Sequence, residues 1–257
     1  MTANRDTDFG IPIPGQILPR DKWARTAVKK MPPPDNWDWS SLFGRDAPVV
    51  LDLGCGNGRY IITSALARPE LNHFGCDILP LVIRYATKRA NQRGLTNVRL
   101  AVIGANELLA NYVRPHSVSE IHLYHPQPYK DAAKAERRLI TPQFLALVHR
   151  ALSSRHTPCA VGSPDGTQSV PATEGRFVIQ TDNKAYWAYI RRVAPLLFDF
   201  EELHDSWSES PHGRTRREIY ARQHGMKVFR GQGHPRELTV EQVAEIALSQ
   251  PPPKFDA

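Results

Sequence analysis

Cysteine is scarce in this chain. Cys55, Cys76 and Cys159 are an odd number and widely spaced, so they outline neither a disulfide framework nor a zinc-ligand pattern and read as free thiols. The ten histidines show no metal spacing either. No uninterrupted apolar run approaches the roughly 18 residues of a membrane-crossing helix. The first twenty residues carry Arg5, Asp6, Asp8 and Arg20 without an apolar core, so no secretory signal is predicted there. A Gly-x-x-x-x-Gly-Lys-Ser/Thr phosphate loop is missing, and internal repeats are missing too. The expectation from these absences is a cytoplasmic protein with no membrane and no metal partner; a monomer or homodimer is expected separately.

What is present is ordinary for a globular chain: 257 residues, 41% hydrophobic and 23% charged. A chain of this size buries enough surface to fold without staples. Its 33 Lys and Arg against 26 Asp and Glu give a net charge of +7, a mild lean towards a polyanion. Much of the proline sits at the ends and in loops, with Pro32–Pro34 and Pro251–Pro253 as runs. Residues 1–47 read as an irregular Pro-rich arm anchored by Trp23, Trp37 and Trp39. Residues 48–230 read as one domain, and 231–257 as a C-terminal helix and Pro-rich tail.

Within that domain, strand and helix patterns alternate. Strands are predicted at 49–53, 72–77, 98–103, 119–124, 177–180, 198–203 and 217–222. Helices are predicted at 59–67, 79–93, 107–113, 138–152 and 183–193, and a Gly/Ser/Pro-rich loop covers 153–175. This alternation predicts an α/β fold with a doubly wound, mostly parallel sheet. Ligands of such sheets bind beyond the carboxyl ends of the strands.

At the first of those ends stands Asp52-Leu53-Gly54-Cys55-Gly56-Asn57-Gly58. Glycines belong where the backbone turns sharply and approaches a ligand without a Cβ in the way. A dinucleotide fingerprint needs Gly-x-Gly-x-x-Gly, but Arg59 occupies its last position. A second acid, Asp77, ends the second strand, where a carboxylate can accept both hydroxyls of a ribose. A purely structural glycine turn and a nicotinamide enzyme remain open on these residues alone.

The pattern Leu-Asp-Leu-Gly-Cys-Gly-Asn-Gly, with Asp77 after it, resembles the cofactor loop of class I S-adenosylmethionine-dependent methyltransferases. The loop after the fourth strand, His125-Pro126-Gln127-Pro128-Tyr129-Lys130, with Glu136-Arg137-Arg138-Leu139-Ile140-Thr141-Pro142 behind it, resembles something narrower. It is similar to the Phe-Pro-Asp-Pro-Trp motif and following Arg-Arg segment of bacterial tRNA (guanine-N7-)-methyltransferases. Thr181-Asp182-Asn183-Lys184-Ala185-Tyr186 resembles that family's Thr-Asp-Trp-x-x-Tyr, and Thr215-Arg216-Arg217-Glu218 its Thr-Lys-Phe-Glu. The likeness runs from about residue 49 to 226, with an insertion at 153–175.

The resemblance implies a Rossmann-like class I methyltransferase fold with antiparallel C-terminal strands, S-adenosylmethionine as cofactor and tRNA as partner. It implies that Asp52 and Gly54, Gly56 and Gly58 hold the amino-acid end of the cofactor. Asp77 would hold the ribose, while Ala105 and Asn106 border adenine. Gln127 would stand at the catalytic position, and Asp182, Thr215, Arg216, Arg217, Glu218 and Lys130 would meet the substrate. Departures are visible: the family's catalytic Asp is Gln127, its Trp is Tyr129, and Gly104 stands where an acid is expected. Other acceptors, a small-molecule or protein nitrogen, fit the altered loop, as does a non-catalytic tRNA-binding relative.

Overall fold

The computed structural model describes residues 6–129, 132–152 and 175–249. In chain order the strands are β1 (Thr7–Asp8), β2 (Ile11–Pro12), β3 (Ala27–Val28), β4 (Val49–Leu53), β5 (Asn72–Asp77), β6 (Val98–Val102), β7 (Glu120–Tyr124), β8 (Arg176–Thr181), β9 (Phe198–Leu203) and β10 (Phe229–Pro235). The helices are α1 (Trp39–Phe43), α2 (Arg59–Ala67), α3 (Pro80–Gln92), α4 (Ala105–Asn111), α5 (Pro142–Ala151), α6 (Lys184–Val193), α7 (Arg216–Gln223) and α8 (Val240–Leu248). They group into two compact units, residues up to 105 with 205–227, and 106–204 with 228 onwards.

In the first unit four parallel strands run in the order β3-β6-β5-β4. Every residue of β4, Val-Val-Leu-Asp-Leu, is buried, as a parallel strand covered on both faces requires. Leu53 lies opposite Cys76 and Asp77 opposite Val102, so the carboxyl ends of β4, β5 and β6 finish together. Helix α2 starts directly after Gly58, its left-handed N-cap, and α3 starts with Pro80 at its first turn. The arm belongs to this unit: β3 pairs with β6, and Trp37 packs edge-on against Trp39 and Phe74. Trp23 donates its ring N–H to the Leu18 carbonyl at 2.8 Å.

In the second unit the order is β7-β8-β10-β9, with β7 and β8 parallel and β10 antiparallel to both neighbours. Helix α6 buries Tyr186, Trp187 and Tyr189 as core packing. Two predicted elements differ. The helix expected from 138 begins at Pro142, because Thr141 caps it by accepting the Phe144 N–H at 3.1 Å. The strand expected at 217–222 is helix α7, and the antiparallel strand is β10 instead. Apolar Ile219 and Ala221 mimic a strand period, but Thr215 at the N-cap, with Glu218 three residues on, is a helix start.

Candidate cofactor loop and acceptor loop

Asp52, the fourth residue of an otherwise apolar strand, is only 2% exposed, and its Oδ2 has no hydrogen-bond partner. Burial, and then the neighbouring Asp77 charge, push its pKa up to about 8. A buried carboxyl in that condition suits a cationic ligand group. The backbone turns back immediately beyond it: the Gly54 and Cys55 N–H groups both donate to the Cys76 carbonyl, at 2.9 and 2.8 Å.

Gly54 and Gly56 have φ of 75° and 53°, and a Cβ on either would meet no atom within 4 Å. They therefore face open space, a cradle that a side chain would fill. Gly58 is constrained for the opposite reason: at φ 81° its Cβ would lie 2.8 Å from the Ala86 Cβ. The loop is also held from outside, since the Asn57 side-chain amide donates to Asp8 at 2.8 Å and the Asn57 backbone carbonyl accepts from Arg89 at 3.3 Å.

Asp77 accepts the Gly56 N–H at 3.1 Å and the Leu79 N–H at 3.0 Å, so it shapes the loop with the same carboxylate that a ribose would use. Replacing it by alanine is expected to weaken S-adenosylmethionine binding by about 2 kcal/mol, the scale of a charged hydrogen bond. Calorimetric titration measures this; binding as tight as the parent's would remove Asp77 from the ribose position.

Next to Asp77 is a feature the sequence reading missed. Ile78 is 68% exposed, Leu79 and Val102 are exposed too, and Ile78 lies over Gly104, whose Cβ would meet it at 3.7 Å. Apolar side chains left in water at strand ends are a wall for a flat apolar ligand face. The signal was available as Ile78-Leu79 directly behind the acid. Ala105 and Asn106 open α4, half-buried and exposed respectively. Cys55 and Cys76 are buried free thiols whose pKa values burial raises, Cys76 to about 12, so they are inert. Cys159 lies outside the described residues.

In the second unit the acceptor loop leaves β7. His125 and Tyr129 have φ of 51° and 41°, uncommon for these residue types. The buried Arg138 guanidinium holds the loop by donating to the Pro128 and Tyr129 carbonyls at 2.7 and 2.8 Å. Gln127 is exposed. His125 Nδ1 is 3.0 Å from Asp182 Oδ1 and its Nε2 is 2.9 Å from the Gln180 amide nitrogen. Lys130 lies outside the described residues.

Thr215 and Glu218 are brought together in the first unit, where Thr215 Oγ1 accepts the Glu218 N–H at 3.1 Å. The buried Glu218 carboxylate accepts the Arg214 N–H at 2.8 Å. These contacts build the start of α7. Arg216 lies over the Phe9 ring at 4.5 Å and Arg217 over Tyr220 at 5.1 Å. Among the described residues no cluster of His, Cys, Asp and Glu is placed to hold a metal ion, and no helix is long and apolar enough to cross a membrane.

A glycine turn between two strand-end carboxylates, on a doubly wound and mostly parallel sheet with antiparallel C-terminal strands, defines the class I methyltransferase fold. Comparison with known proteins narrows the class. A protein family described as "Putative methyltransferase" matches residues 46–157. The tRNA (guanine-N(7)-)-methyltransferase of Paenarthrobacter aurescens is 28% identical over 199 residues, covering 74% of this chain and 60% of that protein. The enzyme of the same name from Paraburkholderia xenovorans is 34% identical over 128 residues, 49% of each chain. That from Salmonella typhimurium is 27% identical over 194 residues, 76% of this chain and 73% of the relative. The aligned part of this chain thus spans between half and three-quarters of these relatives. Over these spans the chain is similar to bacterial tRNA (guanine-N(7)-)-methyltransferases.

Proposed function

We propose that this chain transfers a methyl group from S-adenosylmethionine to N7 of a guanine in tRNA. The observation that carries this reading is the orphaned Asp52 carboxyl beside the open Gly54–Gly56 turn. That combination fits a cationic amino-acid end whose backbone must be approached closely. Asp52 takes the α-ammonium and the turn, with Gly58 behind it, takes the carboxylate end. Asp77 accepts from the ribose hydroxyls, and Ile78, Leu79 and Val102 supply an apolar wall for adenine, with Ala105 and Asn106 at its border. When bound, the cofactor supplies an electrophilic methyl group on a sulfonium.

Guanine N7 has an in-plane lone pair and no proton, so the chain needs no general base. On receiving a methyl group at N7 the guanine ring would take up positive charge, which the residues around it would meet. Gln127, Asp182, Thr215 and Glu218 orient the base; Arg216, Arg217 and Lys130 meet phosphates. The Gln127 amide can donate to guanine O6 or accept from N1–H, so it positions the base without neutralising the developing cation. The domain of residues 48–230 carries this activity, with β3 of the arm and the end of β10 completing its sheet. The protein acts in the cytoplasm as a monomer or homodimer.

Mass spectrometry of tRNA nucleosides from cells with and without the protein tests the proposal. Loss of 7-methylguanosine is expected. Unchanged 7-methylguanosine would favour the second reading, a small-molecule or protein nitrogen, which Gln127 and Tyr129 in the acceptor loop support. A mutational check is Gln127→Asp. A carboxylate beside the developing ring charge is expected to raise turnover by about 2 kcal/mol in barrier, with little change in cofactor affinity. Lower turnover in that variant would mean that the Gln127 amide donates to the acceptor.

A further inference from the structure

The acceptor loop contains a hydrogen-bond chain whose direction is set at one end. Arg230 Nε donates to Gln180 Oε1 at 3.1 Å in a buried setting. An arginine can only donate, so the Gln180 oxygen must face it and the Gln180 amide NH₂ must face the other way. That NH₂ lies 2.9 Å from His125 Nε2, which must therefore present its lone pair. The remaining ring proton of the neutral imidazole then sits on Nδ1, 3.0 Å from Asp182 Oδ1. Arginine, amide, imidazole and carboxylate form a one-way relay in which each donor serves the next acceptor.

The elements fix this geometry locally. Gln180 lies near the end of β8 and Asp182 just beyond it, while Arg230 stands opposite Gln180 in the antiparallel register with β10. The His125 N–H donates to the Gln180 carbonyl at 2.7 Å, tying the loop backbone to the same residue. The His125 side chain is only 6% exposed and that of Asp182 10%. His125 also holds a left-handed backbone, φ 51°, which costs energy for a non-glycine residue. The corresponding residue of the family motif is a phenylalanine, which could not donate to Asp182.

We infer that His125 is a positioning residue that holds the Asp182 carboxylate as the acceptor for the N1–H and N2–H₂ edge of the target guanine. This inference rests on the proposed placement of Asp182 against that base. It gives the chain a carboxylate of fixed orientation beside the loop in which Gln127 stands where the family motif has its acid. Adenine, with no proton on N1 and no 2-amino group, offers nothing to such an acceptor, so the relay also sets base choice.

The test uses the full chain, bulk tRNA and S-adenosylmethionine. In the ligand-free parent, nitrogen-15 spectra of the imidazole rings are expected to show His125 as the neutral Nδ1–H form. His125→Phe should raise the KM for tRNA about tenfold, since one charged acceptor loses its orientation, while kcat moves far less. Cofactor affinity should be unchanged. His125→Asn, whose amide nitrogen can replace Nδ1–H as donor, should recover most of the loss. A parent ring protonated on Nε2 alone, or a His125→Phe enzyme with the parent's KM, would overturn the inference while leaving the methylation reading intact. A parent that methylates no tRNA would overturn both.

Discussion

Replacing Asp8 by alanine is expected to lower the unfolding free energy by about 3 kcal/mol, because it leaves a buried guanidinium without its carboxylate. Asp8 is 2% exposed and sits 3.5 Å from Arg59, itself 6% exposed, and 3.4 Å from Arg89. Burial pushes the Arg59 pKa below the ordinary arginine value, and Asp8 is the main opposing influence. Arg59 also donates to the Ile11, Pro12 and Gly213 carbonyls, so those contacts persist while the charge loses its partner. Denaturant titration of parent and variant measures the difference. A change under 1 kcal/mol, the range of an exposed pair, would show that water reaches this cluster. Because Asp8 also accepts from Asn57, the variant should bind S-adenosylmethionine more weakly as well.

Asp52→Asn is expected to move stability and binding in opposite directions. An acid whose pKa rises from an ordinary 3.8 to about 8 on folding binds its proton more tightly in the folded state. Stability is therefore lost as pH rises from about 4 to about 8 and is level above that, as linkage requires. Asparagine has the same shape and no charge to bury, so at pH 9 the variant should be more stable by on the order of 2 kcal/mol. It also lacks the anion, so S-adenosylmethionine should bind about 2 kcal/mol more weakly. Between roughly pH 6 and 8, parent affinity should rise with pH as Asp52 releases its proton, and the variant should lack that rise. Thermal unfolding and calorimetry across this range measure both. A variant destabilised at pH 9 would mean that Asp52 is ionised and paired in the free protein.

Much of the chain is readable without coordinates, for local reasons. Val49–Leu53 is a run of strand length that is apolar except for Asp52, and α2 begins at the predicted residue because the glycine turn precedes it. Asp52, the glycines and Asp77 are legible because a strand-end turn needs φ values that only glycine adopts easily, and because acids are costly at the ends of buried strands. The misreading at 217–222 has a local cause too. Eight residues carry too few apolar positions to separate a period of 2 from one of 3.6, and the cap at Thr215 settles which one forms.

By itself, then, the sequence determined the α/β alternation, the cofactor turn and the family resemblance, since each is written in neighbouring residues and in fixed spacing. Only the tertiary structure decided which charges meet. Asp8 reaches Arg59 and Arg89, and Arg230 reaches His125 through Gln180, across separations along the chain that no periodicity records. It also decided that Asp52 lacks a partner and that Tyr186, Trp187 and Tyr189 face the core. Burial and donor direction are properties of packed neighbours, and they set the charge state of a carboxyl and the tautomer of a ring. Neither exists until the strands are side by side.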